Sequence, residues 1–183
     1  FIIWQGGKPG DFELRLQFRI VGGNSGIQYR SREVSKWVMS GYQADFDGAG
    51  KWTGTLYEEK GRGVLAKRGS KVTVSPTGEK RVTGKTATEQ EILESVKTED
   101  WNDYTIIAKG NHLLQVLNGN ITIDLVDEQD DRRAMSGLLA LQLHQGPPMT
   151  VQFRNIRIKE SKPKKVAFMA GVRSHGYGSH EHY

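Results

Sequence analysis

His144 is the side chain in this sequence best suited to proton-transfer chemistry, and Gln142 stands beside it. They stand two residues apart in the stretch Gly137–Lys159, GLLALQLHQGPPMTVQFRNIRIK. An imidazole takes or gives a proton near neutral pH, and a carboxamide beside it can hold a polar ligand in place. The spacing matters because Leu139, Leu141 and Leu143 alternate with Ala140, Gln142 and His144. A period of two marks a strand with one buried face, so the imidazole and the amide share its polar face. The competing reading is a surface histidine beside a turn. Two further groups have the look of metal ligands. Asp45-Phe46-Asp47 precedes Gly48-Ala49-Gly50 and offers oxygens to calcium, but three more oxygen ligands are not evident. His175, His180 and His182 fall within eight residues, though no complete shell is in view.

These side chains need strands to position them, and the chain supplies many. Asp11–Val21 alternates Phe12, Leu14, Leu16, Phe18 and Ile20 against Glu13, Arg15, Gln17 and Arg19. After a Gly-rich turn, Ile27 pairs in parity with Tyr29, and Gln28 with Arg30. Short strands follow at Lys36–Met39 and Gly41–Phe46, the latter setting Tyr42, Ala44 and Phe46 against Gln43 and Asp45. Thr53–Glu58 places Thr53, Thr55 and Tyr57 on one face, and Val64–Ala66 follows a glycine turn. Residues 67–87 are polar and turn-rich, an excursion on the rim. Thr88 and Glu91 have capping-box spacing, which predicts a helix over Thr88–Lys97 covering a sheet edge. Strands return at Tyr104–Lys109, His112–Leu117 and Ile121–Val126, with Asn118-Gly119 as a hairpin turn. The parity slip between Phe153 and Ile156 predicts a bulge near Asn155. Many short strands with one short helix predict an all-β, antiparallel two-sheet sandwich.

Composition narrows the function. The net charge of +5 is scattered among acidic residues, and no basic stripe with interleaved aromatics exists, which argues against nucleic acid. Lys162, Lys164 and Lys165 surround Pro163 in what reads as a linker over 161–165. The sequence has no cysteine, so disulfides, zinc–thiolate sites and thiol nucleophiles are excluded. No apolar run is long enough for a membrane-spanning helix. The chain opens on Phe1 rather than Met and reads as an excerpt, so the missing leader says nothing about export.

Several segments, in order, resemble the 3-keto-disaccharide hydrolase domain: NSGIQYRS (24–31), GYQADF (41–46), TGTLYEE (53–59), WNDYTIIAKGN (101–111), LNG (117–119) and LALQLHQGPPMTVQFRNIRIK (139–159). The similarity covers about residues 10–160, within a domain taken as 1–160 that lacks the family's first strands. The resemblance implies a concanavalin- or laminarinase-like jelly roll, a periplasmic or secreted setting, and cleavage of 3-keto-glycosides. Gly41 stands where many members carry an acidic residue, and Gln115-Val116 replaces a common His-Trp, so those family roles do not transfer. From Lys164, KKVAFMAGVRSHGYGSHEHY resembles the start of a ThuA-like α/β domain, taken as 166–183, a domain often fused to this family.

The implied reaction removes the acidified C2 proton beside a C3 ketone, expels the C1 substituent and adds water to the enone. It needs a base, an enolate stabiliser and an acid. By residue type and parity, His144 is the base or acid, and Glu58 or Asp45 supplies a second proton-transfer group. Arg30 stabilises the enolate, and Gln28, Gln43 and Gln142 bind substrate. Tyr29, Tyr42 and Tyr57 stack on the sugar or serve as ordinary core residues. A divalent metal ion remains an open option. No E-x-D-x-x-E strand is present, which disfavours the two-carboxylate mechanism of laminarinase-type glycosidases. The alternative function is a non-catalytic carbohydrate-binding module.

Overall fold

The computed structural model describes residues 1–161. Its strands are β1 (Ile2–Ile3), β2 (Phe12–Val21), β3 (Asn24–Ser35), β4 (Val38–Asp47), β5 (Thr55–Glu59), β6 (Gly63–Ala66), β7 (Ser70–Val74) and β8 (Lys80–Lys85). Helix α1 (Glu89–Ser95) follows, then β9 (Asn102–Lys109), β10 (His112–Leu117), β11 (Asn120–Asp127), β12 (Leu138–Leu141) and β13 (Thr150–Glu160). They form a sandwich of two sheets. One has the order β1-β12-β3-β4-β5-β6 and the other β13-β2-β9-β10-β11-β7-β8.

The core is the set of inward residues that alternation predicts. Phe12, Leu14, Leu16, Phe18 and Ile20 of β2 are all buried, while their neighbours face outward. They meet Ile27, Tyr29, Tyr42, Ala44 and Phe46 from the opposite sheet, with Phe18 stacked on Phe46 at 3.9 Å between centroids. Thr88 caps α1 through the predicted box with Glu91, and Ile92 seats the helix in the core. Asn118 and Gly119 take φ of 47° and 86°, as a tight hairpin requires. The predicted bulge is present: register slips between Arg154 and Arg157, where Asn155 has φ 53°.

Three local expectations change. Lys36 and Trp37 form the turn of a long hairpin, and Val38–Asp47 is one continuous strand. The polar stretch 67–87 holds two strands, because Val72 and Val74 are core residues despite their turn-rich flanks. Strand β7 pairs with β11 in parallel, while the other pairings among the described residues are antiparallel. The ThuA-like start, most of the expected linker and the histidine trio His175, His180 and His182 lie outside the described residues. Among those that are described, no helix is long and apolar enough to cross a membrane.

Candidate functional site

The outer face of the six-stranded sheet carries the polar residues that alternation leaves opposite the core. On β4, Tyr42, Ala44 and Phe46 enter the core, so Gln43 and Asp45 face outward. Tyr57 and Glu59 do the same on β5, and Gln142 and His144 lie beyond the end of β12. Together with Asn24 and Trp52 they line one hollow of about 330 Å³.

A chain of hydrogen bonds sets its floor. Ser31 Oγ donates to Gln28 Oε1 at 2.5 Å, and Gln28 Nε2 donates to Gln43 Oε1 at 2.8 Å. Gln43 Nε2 then donates to Asp45 Oδ1 and to Gln142 Oε1, both at 3.3 Å. Asn24 Nδ2 donates to the same Asp45 oxygen at 3.0 Å. Gln142 is fixed by its backbone, whose N–H donates to Gly26 O at 2.9 Å and whose carbonyl accepts from Ser25 Oγ at 2.7 Å. Gly26 lies opposite Asp45, and a Cβ there would stand 2.5 Å from Gln43 Cγ, so this glycine makes room for the amide.

Among the described residues, no side-chain or backbone hydrogen bond engages Asp45 Oδ2 or Gln142 Nε2, and neither atom is sealed from solvent. One accepts and the other donates, which suits a ligand bearing hydroxyl and carbonyl oxygens. Burial pushes the Asp45 carboxyl up to about 7; hydrogen bonds from Asn24 and Gln43 oppose this and the Asp47 charge adds to it. His144 is exposed on the rim, its Nδ1 2.6 Å from the Gln145 carbonyl. A carbonyl can only accept, so Nδ1 carries a proton and the neutral ring keeps its lone pair on Nε2. Trp52 and Tyr57 supply the aromatic walls.

The hollow thus gathers His144, Asp45, Gln43, Tyr57 and Gln142, and leaves five other candidates elsewhere. Gln28 is fully buried beneath Gln43 and does not line the hollow. Tyr29 and Tyr42 are core residues stacked at 5.6 Å, with both phenols pushed up by burial. Arg30 leaves the face of Gln28 because its φ is 47° and the register slips between Tyr29 and Arg32. It donates to the carbonyls of Gly10, Gly110 and Ala134 and pairs with Asp11, as a clamp between loops. Glu58 points to the opposite side of β5 from Tyr57 and binds Arg62 through two nitrogens at 2.8 and 2.9 Å.

Asn24, Trp52 and Glu59 are the lining residues that sequence reasoning missed. Glu59 was within reach, since it shares parity with Tyr57. Trp52 gave no periodic signal, because its loop is shaped by Asp47. That carboxylate accepts from the backbone N–H groups of Lys51, Trp52 and Thr53 and from the Thr53 hydroxyl. With Asp47 so engaged, the aspartate pair does not make a calcium site. Among the described residues no three His, Asp or Glu side chains cluster as metal ligands.

The two-sheet sandwich is a fold shared with known carbohydrate-related proteins. A provisionally assigned glycosyl hydrolase of Parabacteroides distasonis ATCC 8503 superposes with a TM-score of 0.55 at 19% identity, covering 84% of this chain and 80% of that one. A second from the same organism gives 0.52 at 16%, covering 86% and 75%. The carbohydrate-binding module CBM66 of Bacillus subtilis also gives 0.52 at 16%, covering 85% and 78%. A comparison with curated protein sequences finds no match. The chain belongs to the 3-keto-alpha-glucoside-1,2-lyase-like domain family, whose profile matches residues 1–159.

Proposed function

We propose that the hollow binds a 3-keto-glycoside and cleaves it by elimination followed by hydration. The observation that carries this reading is the convergence of Asp45, Gln142 and His144 on one hollow of about 330 Å³. His144 Nε2 takes the C2 proton, and the C2–H electrons pass into an enolate whose oxygen was the C3 ketone. Gln142 Nε2, free to donate, faces that developing charge. Collapse of the enolate breaks the bond from C1 to the leaving oxygen, which Asp45 protonates. A carboxyl with a pKa of about 7 retains enough proton at neutral pH for that step. Water then adds at C1 and a proton returns to C2, so the net change is hydrolysis. Glu58 is committed to Arg62, and Glu59 is the second carboxylate that lines the hollow with Asp45. A periplasmic or secreted protein acting beside a ThuA-like domain is the setting that this reading carries.

The test is release of free sugar from a 3-keto-disaccharide. His144→Ala is expected to lower turnover by roughly 10²–10⁴-fold, and unchanged turnover removes His144 from the mechanism. The neutral amides of Asn24, Gln43 and Gln142 also suit simple sugar binding. Tight binding of unoxidised glycan without turnover of the keto-sugar would favour the non-catalytic module instead.

A further inference from the structure

A second depression, of about 500 Å³, lies where β3, β4 and β5 meet the loop that carries Arg132, bordered by Ser31, Arg32, Gly41, Lys60 and Arg132. It adjoins the first across β4 and β5. Gly41 and Gln43 are two residues apart on one face of β4, a separation of about 7 Å. Glu59, which lines the first hollow, lies directly opposite Gly41 in the ladder. Gly41, between the two, packs so closely on Ser31 that it has no room for a side chain. At its φ of 147° a Cβ would stand 2.4 Å from Ser31 Oγ.

The charge in this depression is uneven. Arg30 and Glu58 at its base are paired with Asp11 and Arg62. Arg32, Lys60 and Arg132 are exposed, and their side chains have no ion pair or hydrogen bond among the described residues. The wall contributes one unpaired carboxylate, Asp131, against those three cations. Glu59, opposite Gly41, gives the first hollow a negative charge that disfavours an anion there.

We propose that this depression is a subsite for an anionic group, a uronate carboxylate or a sulfate ester, on the sugar linked to the reacting one. The proposal rests on the reading of the first hollow as the seat of the reacting sugar, and it narrows the substrate class to acidic glycosides.

The test is calorimetric binding of three unoxidised disaccharides of one linkage to the full chain: a neutral sugar, its uronic acid form and its sulfate ester. The wild type is expected to bind the acidic forms about tenfold more tightly at low salt, an advantage that fades at high salt. The combined variant Arg32→Gln, Lys60→Gln and Arg132→Gln is expected to bind all three alike, with neutral-sugar affinity unchanged. Preference for only one acidic form identifies the source of the anion and supports the subsite. Equal affinity of the wild type for all three overturns it. Cleavage of the matching 3-keto forms is measured separately, so failed cleavage with the preference intact counts against the catalytic reading alone.

Discussion

Asp45 and Glu58 sit on neighbouring strands of one sheet, are 6% and 7% exposed, and have opposite surroundings. Asp45 faces outward among neutral amides, whose hydrogen bonds offset only part of the lost hydration of its charge, and its pKa climbs to about 7. Glu58 lies on the other side, bound with Asp127 to one guanidinium, while Tyr42 donates to Asp127 at 2.6 Å. Burial works against the charge of Arg62, but the hydrogen bonds it donates to Glu58 and Asp127 raise its pKa on balance. Burial alone therefore does not poise an acid for chemistry. The charge of its partner decides whether a buried carboxylate can exchange a proton or serves as an anchor.

The largest test of this contrast is Arg62→Ala. It leaves Glu58 and Asp127 buried without a cation, and is expected to cost about 3–5 kcal/mol in denaturant unfolding. A loss below about 1 kcal/mol would show that the network is solvated and not an anchor.

Asp45→Asn probes the other member of the pair. The folded pKa of about 7 lies above the unfolded value near 3.9, so the folded state holds the extra proton. This contribution is present below pH 4 and is lost as pH rises to about 7. Asp45→Asn is expected to flatten that fall and to be more stable at neutral pH, on the order of 2–4 kcal/mol, while losing activity. Parallel pH–stability curves for the two proteins would contradict the raised pKa.

The smallest effect is expected for Gly26→Ala, about 1–2 kcal/mol, as the added methyl pushes on the flexible Gln43 side chain. Because Gln43 ties Asp45 to Gln142, sugar binding should weaken more than stability. Calorimetry and denaturation on the same sample separate the two.

The contrast also shows what was legible in the sequence. Strict alternation set Gln43, Asp45, Gln142 and His144 opposite the apolar face, and each lines the hollow. Even so, β12 ends at Leu141, and Leu143, expected on the buried face, is exposed. Tyr57, read as stacking on sugar or as core, lines the hollow too. Alternation failed at Arg30, where a positive φ and a register slip turn the side chain off the face of Gln28. Glu58 was a different error, since residue type was preferred to parity; alternation from Tyr57 leads to Glu59. The bulge at Asn155 was legible because it shifts two apolar residues out of phase. The pairing of Val72 with Leu125 was not, since a parallel ladder between distant segments leaves no local trace.

That parallel ladder has a consequence for how the chain is born. The hairpin of β7 and β8 is complete at Lys85, but the strand it must join begins at Asn120. At ribosomal speeds of about 5–20 residues per second, the hairpin waits roughly two to seven seconds with Val72 and Val74 unseated. Throughout that interval the lysines and arginine of β8 are its protection against pairing with another nascent chain.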